Sequence, residues 1–349
     1  MVLSLAKRLL KLVGVLFVLG VVLVALGFAT GILGVPSVTV DDPGEWGTTT
    51  EETTDIETTI RVENPNPLGI SLSERFDARY WVDLNGVRLV DGQRDSVSVP
   101  SGSSTITLTS TLDNDRIVPW WVAYVRADET IELRATGNAT VEAFGQQHVS
   151  FPEHERTLLE DRQPVIEAFS AAVSTMEGEY TAGSGPATAG YEIRDAGAEW
   201  ATVTEDRSNM TLTMHVHNSG SVPVALVPDG FRLDATANDV PLFTASGDAL
   251  STDSVDRDAV LAPGETRTVE YTVTMTNENV DDWFLSHIAN GESSRLVIDP
   301  RLEFAVPETG TSITIPEDGV GYQCQFRTAI LEDQESGSNC GSGGSVSAG

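Results

Sequence analysis

Lysine is almost absent from this chain. Its 349 residues carry 21 Lys and Arg against 52 Asp and Glu, a formal net charge of −31. The only lysines, Lys7 and Lys11, precede the first apolar run, and every later basic residue is arginine. With no basic patch to neutralise phosphates, nucleic-acid binding is excluded. Cysteine is equally scarce: Cys324 and Cys340 are the only two, which allows at most one intrachain disulfide. Also missing are Gly-x-Ser-x-Gly, Gly-x-Gly-x-x-Gly, a phosphate loop and His-Glu-x-x-His, the signatures of several enzyme classes. The many acids offer chance carboxylate pairs, but nothing singles out one pair, so no catalytic residue and no cofactor is expected.

The acids that are present lie in segments with good apolar periodicity, unlike a solvating disordered tail. A folded acidic surface suits very high salt, where self-repulsion is screened within ~3 Å at molar concentration and carboxylates keep the protein hydrated. Strong acidity with almost no lysine resembles the proteins of extreme halophiles.

Residues 1–35 carry +3 and no acid, which leaves −34 for the remainder. Leu12 to Leu33 is almost wholly apolar. At ~1.5 Å per residue it is long enough to span a bilayer core. A cleaved signal peptide is the rival reading, but Ala29-Thr30-Gly31 is a poor cleavage site. The uncleaved anchor is therefore expected. Lys7, Arg8 and Lys11 before it place the N-terminus in the cytoplasm and the bulk of the chain outside. Gly27 and Gly31 have the spacing of a helix-packing pair.

The stretch Glu45–Ile70 recurs at Glu199–Val224 with a shift of 154 residues: Glu45-Trp46 on Glu199-Trp200, Asn64 on Asn218. Short alternating stretches separated by turn residues surround it, among them Asn85-Gly86, Asp91-Gly92 and Thr136-Gly137-Asn138. One segment instead has helical spacing: Ile117, Trp120, Trp121, Tyr124 and Val125. Val280, Trp283, Phe284, His287 and Ile288 repeat it at a shift of 163, with Asn277 as N-cap and Gly291 as stop. Self-similarity at long period means a duplicated unit. The expected fold is mainly β: a transmembrane helix, then two tandem immunoglobulin-like antiparallel sandwiches, each with one short helix. The boundaries are 1–35 for stub and anchor, 36–153 and 190–317 for the sandwiches, 154–189 for the linker and 318–349 for the tail. Arg156–Met176 reads as helical, Gly178–Gly190 as a flexible joint, and Glu332–Gly349 as disordered.

The run Ile60-Arg61-Val62-Glu63-Asn64-Pro65-Asn66-Pro67-Leu68 is followed by Leu84-Asn85-Gly86 and Pro100-Ser101-Gly102. It resembles the late-embryogenesis-abundant type 2 domain, also called the water-stress and hypersensitive-response domain. In the second repeat Asn218-Ser219-Gly220 replaces Asn-Pro-Asn. The resemblance implies a fibronectin-III-like sandwich, single-span membrane proteins linked to desiccation, and no catalytic residues to carry over. From the residues alone, Pro65 and Pro67 must leave a central ladder, and the asparagines bond backbone freed at the strand end. This is turn chemistry rather than ligand contact.

His215 and His217 share a strand face. The alternating Leu212, Met214 and Val216 turn them to solvent, so they read as exposed rather than metal-binding. Asp113/Asp115, Asp253/Asp256/Asp258 and Asp281/Asp282 lack calcium-loop spacing, and no metal is expected. Asn138 and Asn209 head glycosylation sequons. Cys324 and Cys340 could pair outside the cell, but the Ser/Gly surroundings of Cys340 leave an unpaired or intermolecular thiol open. The expected function is a membrane-anchored, extracytoplasmic, non-enzymatic envelope protein of the osmotic or desiccation type. The alternative is a cell-surface module that recognises an envelope glycan or protein, with the acidic Thr244–Val260 stretch as a contact.

Overall fold

The computed structural model describes residues 37–72, 76–142, 146–150, 153–158, 163–184, 187–226, 230–246, 259–306, 311–316, 321–328, 331, 332, 334 and 337–342. The apolar run Leu12–Leu33 and the Asp253/Asp256/Asp258 cluster lie outside these residues. Among the described residues no helix is long and apolar enough to cross a membrane. The chain divides into two compact units, Met1–Asp161 with Thr328–Ser336, and Arg162–Arg327 with Gly337–Gly349.

In the first unit the strands are β1 (Ser37–Thr49), β2 (Thr53–Asn64), β3 (Ile70–Leu72), β4 (Phe76–Leu84), β5 (Val87–Arg94), β6 (Val97–Val99), β7 (Gly102–Asp113), β8 (Ile131–Glu142), β9 (Gln146–Ser150) and β10 (His154–Leu158). The helix α1 (Ile117–Arg126) separates β7 from β8. The main sheet runs β1-β2-β7-β5-β4-β8-β10, with β9 also on β8, and β3-β6 form a small separate ladder. Every pairing is antiparallel, as short alternating segments joined by turns require. β5 touches β7 through only two residue pairs, Val90↔Leu112 and Asp91↔Thr111. The alternation in β2 buries Ile56, Ile60 and Val62, and β4 buries Phe76, Ala78, Tyr80 and Val82.

Two glycine-containing turn signals sit inside strands instead. Gly92 lies within β5 because the Tyr80 ring crosses it: a Cβ there would meet Tyr80 Cζ at 1.9 Å. The ring thereby reaches from β4 over β5 to β7, where the Tyr80 hydroxyl bonds Ser110 at 2.7 Å. Gly137 is likewise a ladder residue, opposite the same Tyr80. A strand glycine can mark a close approach as well as a turn, and here it does so at Gly92. Asn85-Gly86 is a genuine turn, with φ of 50° and 77°.

The second unit opens on α2 (Pro164–Ser174), followed by β11 (Gly178–Ser184), β12 (Ala187–Val203), β13 (Arg207–His217), β14 (Val224–Ala225), β15 (Gly230–Ala237), β16 (Val240–Ser246), β17 (Val260–Leu261) and β18 (Thr266–Thr276). Then come α3 (Asn279–Ala289), β19 (Ser293–Val306), β20 (Thr311–Ile315), β21 (Tyr322–Arg327) and β22 (Gly337–Ser342). The sheet order is β11-β12-β13-β18-β16-β15-β19-β21-β22, with β20 on β19 and a small β14-β17 ladder. Tyr191 on β12 stacks on Phe304 of β19 at 4.1 Å between ring centroids, although four strands separate them in the sheet. Phe231 and Tyr271 stack at 4.4 Å. The sheet is therefore folded over its own core.

Three expectations for the segments outside the repeats need correction. The helix expected over Arg156–Met176 begins only at Pro164, where proline is tolerated in the first turn. Its first part is β10, paired with the edge of β8. The Gly/Ala/Ser-rich joint Gly178–Gly190 is a hairpin, β11 on the start of β12, in full register from Gly178↔Ile193 to Ser184↔Ala187. Small residues weaken strand propensity, but a neighbouring edge supplies the backbone partners that propensity does not. In the tail, Gly337–Ser342 is not disordered. It pairs with β21 from Tyr322↔Ser342 to Arg327↔Gly337.

Candidate functional site: asparagine-anchored strand ends and the helix plugs

At the end of β2, Asn64 is buried and its side chain holds the following turn. Its Nδ2 donates to the carbonyls of Leu68 (3.2 Å), Val99 (3.4 Å) and Pro100 (3.2 Å). Its Oδ1 accepts from the Asn66 backbone N–H (3.1 Å) and from Asn66 Nδ2 (2.7 Å). In the second unit Asn218 donates to Val222 (2.9 Å) and Leu261 (2.8 Å) and accepts from the Gly220 N–H (2.8 Å). Val222 and Gly220 stand 154 residues after Leu68 and Asn66.

The structure accounts for the loss of Asn-Pro-Asn in the second unit. Ser219 and Ser221 occupy the positions of Pro65 and Pro67. The Ser219 N–H donates to Gly190 O (3.2 Å) and the Ser221 N–H to Thr188 O (2.7 Å). Proline has no N–H and would forfeit both bonds. Gly220 also packs directly on the β12 backbone, where a Cβ would fall 2.3 Å from Thr188 O. Pro65 and Pro67 are exposed in the first unit.

A second pair of asparagines secures the opposite strand ends. Asn114 donates to the carbonyls of Thr50 (2.9 Å) and Glu51 (3.3 Å) and accepts from Thr54 Oγ1 (3.0 Å). Asn277 donates to Thr204 (3.1 Å) and Glu205 (3.0 Å) and accepts from Ser208 Oγ (2.8 Å). Asn277 was expected to cap α3. Its side chain instead pins the turn between β12 and β13, and α3 has no side-chain cap. The deep burial of Asn277 explains the choice, because the turn carbonyls would otherwise lack donors. Asp113 does act as a cap: its Oδ1 accepts from the Asp115 N–H at 3.1 Å, at the start of a single 3-10 turn.

Each helix packs its apolar stripe inward. In α1 Ile117, Trp121, Val122, Tyr124 and Val125 are buried, while Trp120 is half-buried and stacks on Tyr124 at 5.6 Å. In α3 Val280, His287 and Ile288 are buried and Trp283 and Phe284 half-buried. A buried glutamate with positive φ follows each helix, Glu129 (φ 61°) and Glu292 (φ 54°). Tyr124 donates its hydroxyl hydrogen bond to Glu129 Oε2 at 3.3 Å. Burial and the adjacent Glu129 carboxylate raise the Tyr124 pKa, keeping the phenol protonated.

One cluster was not legible in the sequence. Ser294 Oγ lies 2.8 Å from His287 Nδ1 and accepts from Trp283 Nε1 at 3.0 Å. Asn238 Nδ2 reaches the same oxygen at 3.4 Å. With Glu292 near, this is a Ser, His and acid set, but Ser294 and His287 are only 1% and 3% exposed. Trp Nε1–H can only donate, so the serine hydroxyl is left to donate to a neutral His287. Burial pushes the His287 pKa down to about 4, against a smaller raising effect of Glu292. A closed, mutually bonded hub with no room for substrate joins α3 to β19 and does no chemistry on a ligand.

The remaining candidates are dispersed. Leu212, Met214 and Val216 are buried, and His215 and His217 lie on the other face of β13. His217 Nδ1 is 2.9 Å from Thr266 Oγ1, and His215 Nδ1 is 3.5 Å from Asp195. Among the described residues no group of three His, Cys, Asp or Glu could hold a metal ion. Asp281 and Asp282 sit in the first turn of α3, where carboxylates suit the helix dipole. Asn138 is exposed on β8, whereas Asn209 is half-buried and accepts from Thr274 Oγ1 at 3.0 Å. Cys324 and Cys340 form a disulfide that ties β22 to β21.

Comparison with known proteins points to this first strand end. Residues 59–154 match the family model described as "Late embryogenesis abundant protein". A protein of Methanocaldococcus jannaschii, itself described as uncharacterized, is 32% identical over 94 residues. That alignment covers 27% of this chain and 53% of the relative, so the chain spans about half the length of the curated relative it matches. Among solved structures, a protein from Archaeoglobus fulgidus aligns with a TM-score of 0.32 and 17% identity, over 40% of this chain and all of that one. A protein from Arabidopsis thaliana, solved in solution, aligns with a TM-score of 0.21 and 12% identity, over 38% and 89%.

Proposed function

We propose that this chain is a water-stress-type envelope protein, held in the membrane by Leu12–Leu33, with its acidic bulk outside and no catalytic activity. The match of residues 59–154 to the late-embryogenesis-abundant model carries this reading. The acid-rich, lysine-poor composition supports a halophilic setting, and the basic Lys7, Arg8 and Lys11 support the orientation. We further read the second unit as a copy of the first. The hydrogen bonds of Asn64 and Asn114 recur at Asn218 and Asn277 with the same partners at shifts of 154 and 163 residues. Such agreement in buried polar anchors comes more readily from duplication than from convergence.

On this reading the protein acts through its surface. Neutral, satisfied polar groups fill its interior, and hydrated carboxylates cover the outside. Deletion of the coding sequence should slow recovery from osmotic shift, and protease added to intact cells should remove the bulk of the chain. Normal recovery together with protection until lysis would sink both halves of the reading. A second reading, a cell-surface recognition module, draws on the half-exposed Trp120 and Trp283 at matching positions of the two helices. It requires Trp120→Ala to lose envelope binding without a change in melting temperature.

A further inference from the structure

The end of the first unit that bears Asn64 is also the end at which the N-terminal run enters. β1 and β2 are antiparallel, and Ser37 lies opposite Glu63. Gly34, Val35 and Pro36 alone separate Leu33 from Ser37. Four peptide steps of at most ~3.6 Å reach ~14 Å. The sheet therefore starts within ~14 Å of where the apolar run stops, while the headgroup layer is itself ~5–7 Å deep on each side. Asn64 folds the next loop back over the strand end through its bond to Leu68 O.

That strand end is unusual for this chain in two ways. Leu68, 73% exposed, is one of two large hydrophobic residues on the surface among the described residues. Pro65, Pro67 and Pro100 beside it are also exposed. The strand end is also nearly free of charge. No Asp, Glu, Lys or Arg occurs from Asn64 to Leu72 or from Ser96 to Leu112, in a chain with 52 acids. Glu63, one strand position back, is the nearest acid along β2. The opposite end of the same unit carries Glu51, Glu52, Asp113 and Asp115. The matching strand start in the second unit, which no apolar run adjoins, reads Pro263-Gly264-Glu265-Thr266-Arg267, where the first has Pro100-Ser101-Gly102-Ser103-Ser104-Thr105. Charge is thus absent at the one strand end next to the apolar run and present at its counterpart.

We propose that the tip formed by Pro65, Pro67, Leu68 and Pro100 rests in the headgroup layer of the membrane that holds the N-terminal run, so that the first unit stands end-on against the bilayer. Carboxylates pressed toward hydrocarbon lose hydration, and anionic lipid would repel them. An uncharged tip with an exposed leucine meets neither obstacle, and proline costs the tip no unsatisfied N–H. The inference rests on the anchor reading of Leu12–Leu33.

The test uses the full chain reconstituted in phosphatidylcholine vesicles at molar salt. The two native cysteines are bonded to each other, so a single added cysteine takes a polarity-sensitive fluorophore. Leu68→Cys reports the tip, and Glu51→Cys reports the opposite end. The Leu68 label should shift to the blue and be quenched by lipids spin-labelled near the headgroup, while the Glu51 label is not. If the protein fails to float with the vesicles, the anchor reading falls and the tip proposal with it. If it floats but the Leu68 label emits as in water, the tip proposal alone is overturned. A Leu68 label shielded from aqueous quencher yet untouched by the lipid spin labels would assign the tip to a second copy or another part of this chain, and also overturns it.

Discussion

Replacing Asn218 is the most direct probe of what the repeated asparagine does. Its side chain is fully buried and makes two donations and one acceptance, at 2.9, 2.8 and 2.8 Å. Alanine would leave the Val222 and Leu261 carbonyls and the Gly220 N–H without that partner. A buried group left unsatisfied costs ~1–3 kcal/mol. Val222 and Gly220 are half-buried and partly recover water, so ~1 kcal/mol each is appropriate, with ~2 kcal/mol for the buried Leu261 carbonyl. The expected loss is ~4 kcal/mol, which for a unit of this size lowers the melting temperature by ~8–16 °C. Asn218→Asp is the sharper variant. It is isosteric and keeps the acceptor for Gly220, but it turns both donations into carboxylate facing carbonyl, so it should be at least as destabilising as alanine. Asn64→Ala should be milder, because its donation is divided among three carbonyls at 3.2–3.4 Å. Circular dichroism melts in molar salt provide the assay. If both Asn218 variants melt within ~2 °C of the parent, a shift worth under ~1 kcal/mol, the asparagine does not hold the turn and its recurrence has another cause.

His287 should make the second unit acid-sensitive. Its folded pKa of about 4 lies below the ordinary 6.5, so the neutral ring's contribution is intact above 6.5 and is lost as pH falls toward 4. The full difference is worth ~3 kcal/mol, and His287→Tyr, the residue type at Tyr124, should flatten the pH dependence of melting relative to the parent. Cys340→Ser should release β22, at a cost of up to ~3 kcal/mol for a loop of this length, seen as faster amide exchange over Tyr322–Arg327 in both the variant and the reduced parent. Dilution of salt below about molar should unfold the protein, as the Debye length grows from ~3 Å toward ~30 Å around its net negative charge. Unchanged circular dichroism in dilute buffer would refute that expectation.

Much of this molecule is determined locally and can be read from the chain. Alternation marks β2, β4, β7, β13 and β18, because a sheet with one buried face imposes a period of two. The 3.6-residue spacing marks α1 and α3, and Asn85-Gly86 specifies a turn that only residues tolerant of positive φ can make. The recurrence of Trp46 and Asn64 at Trp200 and Asn218 is plain in the sequence as well.

Other features depended on partners remote in sequence. Gly92 reads as a turn until the Tyr80 ring is seen lying across it. The Gly178–Gly190 and Gly337–Ser342 segments have composition suited to flexible chain, yet each becomes a strand by pairing with an edge already formed by better strand formers. Asn277 sits where a helix cap belongs, but its amide goes to carbonyls more than seventy residues earlier. Ser219 and Ser221 look like a degraded Asn-Pro-Asn until β12 supplies acceptors for their amides. The Ser294 hub joins residues whose roles are set by burial, which no local pattern encodes. A sequence fixes propensities along one chain, whereas the fate of a polar group depends on which distant backbone or side chain arrives beside it and whether water can still reach it.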